Sequence, residues 1–133
     1  MQITTKFFPA TESNKFSWDD LMTSYKDDVW EERMVEVGST VVSQVRGSAG
    51  WTAEDTFAGL PDDMCQAPHF GVVLKGKVRI VTKDGSIDCE TGDAYYQAVP
   101  HRVEWLEDSV LIEFTPREDF WFMTDWAEKT KKS

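Results

Sequence analysis

Cys65, His69 and His101 are the residues of this sequence best suited to chemistry. A thiol and two imidazoles are donors for Zn²⁺, and for Fe²⁺ or Ni²⁺ when a carboxylate joins them. Asp63 stands two residues before Cys65, on the same side of the chain if that stretch is extended. It is the candidate fourth ligand. The run Asp62-Asp63-Met64-Cys65-Gln66-Ala67-Pro68-His69 holds carboxylates, a thiol and an imidazole within eight residues. Three protein ligands leave one coordination position open for water or substrate, the catalytic arrangement; four close it. Without a metal, Cys65 reads as a small buried hydrophobe and each histidine as a hydrogen-bonded structural residue. A nucleophile pair of Cys65 with His69 or His101 is a further reading. It ranks below the metal, because its order and spacing match no recognised pattern.

Other reactive groups carry less. Cys89 lies mid-strand with no partner motif and reads as core. Glu104 and Glu113 lie in predicted strands, where charge normally marks the solvated face. Either one turned inward would be a ligand or a general base. Phe70, Trp51, Tyr95, Tyr96 and Trp105 are core aromatics by default, with Phe70, Tyr95 and Trp105 expected to line a pocket. Tyr95 and Tyr96 must point to opposite faces of one strand. There is no G-x-S-x-G, P-loop or G-x-G-x-x-G pattern.

Short strands must position these residues. Trp18, Leu21, Met22 and Tyr25 recur at helical spacing, so residues 17–26 are expected to form a helix capped by Ser17. From residue 33 the period becomes two. Val35, Val37, Val41, Val42 and Val45 fall in β-rich stretches, and glycines then punctuate a loop-rich region. Phe70, Val72 and Leu74 alternate, as do Val78 and Ile80. Asp84-Gly85 reads as a two-residue hairpin turn leading to Ile87 and Cys89. Gly92-Asp93 marks another turn, before further alternation through Val103, Trp105, Val110, Ile112 and Phe114. Strands at this spacing imply an antiparallel sandwich or barrel. Thr115-Pro116-Arg117-Glu118 reads as the start of a C-terminal helix with Thr115 as cap. The bulky run Phe120-Trp121-Phe122-Met123 could instead be a strand, and in either form it needs a surface to cover.

These signals carry a resemblance. Residues 59–114 resemble the core of a cupin domain, whose first motif is G-x5-H-x-H-x3–4-E-x6-G and whose second is G-x5-P-x-G-x2-H. Val73-Leu74-Lys75-Gly76 looks like the end of the first motif. Counting back from Gly76 puts His69 at the family's glutamate and Cys65 and Asp63 at its two histidines. Gly92-Asp93 opens the second motif and Pro100-His101 resembles its end. The departures are specific: there is no H-x-H pair, Ala98 and Pro100 replace the second motif's Pro and Gly, and His101 arrives two residues early. Two residues is one strand period, so His101 can still face inward. The chain also resembles an uncharacterised group of small bacterial cupins with L-P-D-D-x-C-x-x-P-H-x-G-x-V-L-x-G and G-D-A-Y-Y stretches, here residues 60–76 and 92–96. The resemblance implies a single all-β domain over residues 1–133. Its fold would be a double-stranded β-helix (jelly-roll) barrel, holding a divalent metal in the barrel pocket. It names no reaction.

The whole chain narrows the function classes. With 133 residues, 41% hydrophobic and 13% aromatic, it can build one packed core. A net charge of −10 opposes nucleic-acid binding, which needs a basic surface. Lys129, Lys131 and Lys132 read as a solvated tail. No apolar run reaches a membrane span, and residues 1–12 lack a signal-peptide pattern, so the expectation is a cytoplasmic protein with reduced cysteines. Three hypotheses stand: a metal-dependent enzyme acting on a small polar substrate; a metal-free small-molecule binding module or sensor; and an interaction protein. As cupins are frequently dimers, a homodimer is expected.

Overall fold

The computed structural model describes residues 7–26, 28–50 and 57–131. Trp51 and Lys132 therefore lie outside the described residues. Among the described residues ten strands follow one another: β1 (Phe7–Phe8), β2 (Met22–Lys26), β3 (Trp30–Val37), β4 (Thr40–Gly47), β5 (His69–Lys75), β6 (Lys77–Thr82), β7 (Gly85–Glu90), β8 (Ala94–Gln97), β9 (Arg102–Trp105) and β10 (Ser109–Pro116). An α-helix, α1 (Arg117–Lys131), follows β10.

The strands form two sheets. The larger runs β1-β3-β4-β10-β5-β8, with β2 also paired to β3, and the smaller runs β7-β6-β9. All pairings are antiparallel except β1 with β3. The sheets face each other as a jelly roll, and no ladder among the described residues joins them into a closed barrel. Gly76, at φ 95°, lets β5 turn directly into β6 of the opposite sheet. A side chain there would collide with Ser109 and the Asp108 carbonyl.

The core lies between the sheets. Val45, Val73, Tyr95 and Leu111 of the larger meet Val78, Ile80, Cys89 and Trp105 of the smaller. Trp105 lies against Gly47, where any side chain would clash with the indole. A second cluster of Met34, Val41 and Phe120, with Trp121 against it, seats α1. Buried Glu36 anchors that helix by accepting from Trp121 Nε1 and Arg117 Nε.

Three local expectations are corrected. Residues 17–26 are not a helix: one 3-10 turn, Trp18–Asp20, leads into β2, and Ser17 makes no capping bond. The ladder to β3 overrides the local period, pairing Met22 with Met34 and Tyr25 with Glu32. The hairpin turn is Lys83-Asp84, and Gly85 already pairs with Thr82. Thr115 and Pro116 still belong to β10, so α1 begins at Arg117, and the run from Phe120 to Met123 is helical.

Candidate metal centre

Two strand starts and one loop build the site. His69 opens β5, and His101 immediately precedes β9. Cys65 lies in the loop before β5 and forms an isolated antiparallel bridge with His101. Its N–H donates to the His101 carbonyl at 2.7 Å, and the His101 N–H returns the bond at 3.2 Å. The main chain thus places two of the three side chains opposite each other.

The three donors converge. Cys65, His69 and His101 each offer a ligand atom, all within 4.8 Å of one another. Cys65 Sγ and His69 Nε2 are 3.8 Å apart. Tetrahedral zinc with ordinary Zn–S and Zn–N bonds would hold sulfur and nitrogen about 3.6 Å apart. The imidazoles meet edge to face with centroids 5.0 Å apart.

Each imidazole is fixed from behind. His101 Nδ1 donates to the Ala98 carbonyl at 2.9 Å, which leaves Nε2 with its lone pair. His69 Nδ1 is 2.7 Å from Thr115 Oγ1, so in the tautomer that frees Nε2 it donates to that hydroxyl. Partners on the remote nitrogen are what orients a metal-binding histidine. Burial pushes His69 down to about 4, and burial with the neighbouring His69 does the same to His101. Both rings are neutral near pH 7, as a ligand must be. Burial pushes the Cys65 thiol up to about 12, against a smaller opposing effect of the backbone at Ala67. A thiol so resistant to ionisation beside neutral imidazoles is a poor nucleophile, whereas a cation deprotonates a coordinating thiol outright. The donor set and its geometry fit a divalent metal.

The other expected site residues are placed as follows. Asp63 is outside the converging group; it ends the 3-10 turn Pro61–Asp63, and its Oδ1 accepts the Gly59 N–H at 2.8 Å. Phe70 does not line the pocket. It is 63% exposed, because the strand alternation that turns His69 inward turns Phe70 out. Tyr95 faces inward and Tyr96 outward. Trp105 is buried in the core between the sheets. Cys89 is also core, and Glu104 lies near Arg79 and Arg102. Glu113 is buried, accepting from Tyr95 and Gln97. Thr115, Gln97 and the Ala98 carbonyl were not singled out in the sequence. The signal for Gln97 was its spacing of two from Tyr95, and Thr115 was masked by its likeness to a helix cap.

No family model matches the chain. No curated protein matches it either. Solved structures do. KdgF from Halomonas sp. superposes with a TM-score of 0.60 at 21% identity, over 81% of this chain and 99% of that one. Oxalate decarboxylase from Bacillus subtilis gives 0.58 at 18% identity over 76% of this chain. This chain covers only 28% of that longer one. A protein of unknown function from Streptococcus pyogenes gives 0.53 at 14% identity, over 69% and 77% of the two chains. The architecture is the cupin-type jelly roll. Within that fold, the chain carries a Cys/His/His cluster able to hold a metal.

Proposed function

We propose that this protein binds one divalent cation, zinc by the character of its donors, through Cys65 Sγ, His69 Nε2 and His101 Nε2. A fourth position then stays open to a small polar molecule. The convergence of three donors within 4.8 Å carries the reading. The Mn(II) centres of the B. subtilis oxalate decarboxylase give a precedent for metal in this fold. Bound there, the metal supplies Lewis acidity toward a carbonyl or a water. The chain's own residues hold the geometry: Ala98 and Thr115 partner the rings, and the main-chain bridge sets Cys65 opposite His101.

Elemental analysis of protein purified without a histidine tag should find about one metal per chain. Cobalt-loaded protein should show a near-ultraviolet thiolate-to-metal absorption band. Cys65→Ser should abolish that band and His101→Ala should lower affinity by at least roughly tenfold. Absence of metal from the parent protein, or full loading of both variants, overturns the reading.

We also propose that the chain forms a homodimer through the outer face of the larger sheet. Tyr96, Phe70 and Phe114 stand in one row across β8, β5 and β10, all exposed, with Leu74 further along β5.

A further inference from the structure

Three inward side chains take no part in the metal triad and form a unit of their own. Glu113 Oε2 accepts the Tyr95 hydroxyl at 2.6 Å and the Gln97 side-chain amide at 3.0 Å. Gly71 separates Glu113 from Tyr95 in the ladder, pairing with both. A Cβ at Gly71 would collide with the Tyr95 ring and the Ile112 carbonyl. The missing side chain is what allows the tyrosine to lie flat and reach the carboxylate. Gln97 stands directly across the ladder from His69. The Glu113 charge is also felt at His101 and Cys65. Unit and triad therefore share one interior.

One atom of this unit is left over. Gln97 is 1% exposed, yet its Oε1 accepts no hydrogen bond among the described residues. Buried acceptors normally have a donor. The bond from Nε2 to Glu113 fixes the amide, so Oε1 is held ready for a donor from elsewhere. We propose that Gln97 Oε1 is a ligand-binding atom that reads a hydroxyl or amino group on a small carboxylate, with Glu113 and Tyr95 as the clamp that orients it. Only the carboxylate end of this ligand rests on the proposed metal; the hydroxyl or amine end rests on Gln97 alone.

Matched probes test it: acetate against glycolate and glycine, which add one hydroxyl or one amino group. Binding is followed in ¹⁵N-labelled full-length protein, zinc-loaded and metal-free, at the Gln97 side-chain amide, assigned by its loss in Gln97→Met. Glycolate or glycine should shift that resonance and bind about tenfold tighter than acetate, the worth of one good hydrogen bond. In Gln97→Met the preference should vanish while zinc loading stays at the parent level. Tyr95→Phe, which keeps the ring but loosens the clamp, should reduce the preference part-way, and it serves if Gln97→Met does not fold. Equal binding of the three probes, no shift with any of them in either form, or an undiminished preference in the variants overturns the proposal. Zinc loading is measured separately. A preference kept in metal-free protein that takes up no zinc would sink the metal reading and leave this one standing.

Discussion

Thr115 meets the site through its hydroxyl, which partners the His69 nitrogen remote from Cys65. Its hydroxyl lies 2.7 Å from His69 Nδ1. Thr115→Val keeps the shape and removes the partner. Metal affinity should fall about 10–100-fold, read by competition with a chelating dye, and Thr115→Ser should recover most of it. Glu32 illustrates a different residue-scale effect. Burial lifts its carboxyl from the ordinary 4.5 to about 7, against the Ser24 hydroxyl bond that opposes the shift. The folded state thus holds a proton that the unfolded chain releases. Glu32 contributes most stability below pH 4.5, and that contribution is lost as pH rises toward 7. Glu32→Gln removes the loss. Its stability gain should grow across that window and level off above it at roughly 1–2 kcal/mol, allowing for partial exposure. Urea midpoints at pH 5 and pH 8 check this; a gain independent of pH would refute it.

At the scale of the element, β5 and β8 set the pocket by what they leave out. Gly71→Ala puts a methyl group into the Tyr95 ring and the Ile112 carbonyl. Overpacking of this kind costs about 1–3 kcal/mol, visible as a lower urea midpoint, and the bond from Tyr95 to Glu113 should be lost with it. The strands from β5 onward were legible, because turn residues and period-two alternation agree there. Cys65 and His69 were legible through the count back from Gly76, which also named Asp63, and His101 through the end of the second motif; the structure brings Cys65, His69 and His101 together and leaves Asp63 outside. What escaped were choices made by partners distant in sequence. Met22 to Lys26 carry a helical period, but β3 supplies a ladder for them. The apolar set Phe70, Val72 and Leu74 looks like the inward face of β5. The inward set is instead His69, Gly71 and Val73, because the pocket needs a donor and a gap there. Thr115 resembles a cap until its hydroxyl is seen beside His69, and nothing local in Gln97 or Glu113 shows that the two meet across the intervening strand β5 of one sheet.

For the whole molecule, charge and surface pull in opposite directions. At a net charge of −10, copies of this chain repel one another. The outer face with Phe70 and Tyr96 packed at a tilt, ring centroids 4.7 Å apart, beside exposed Phe114 and Leu74, offers apolar side chains on which two copies can still meet. Light scattering of the proposed homodimer should give twice the 15.2 kDa chain mass, and more completely at high salt, where repulsion is screened. Phe70→Lys should return it to one chain without disturbing metal loading, since Phe70 and His69 point to opposite faces. A monomeric parent at all salt concentrations would rule the dimer out. No helix among the described residues is long and apolar enough to cross a membrane.

The Cys65–His101 bridge has a consequence for how this pocket can change. Two peptide groups hold these positions opposite each other, whatever side chains they carry. Frame and donor are therefore independent variables. A carboxylate in place of the thiol at residue 65 leaves both main-chain bonds to His101 available, because neither uses the side chain. A fold built this way can be retuned from a soft metal to a hard one by single substitutions, with no rebuilding of the scaffold between them.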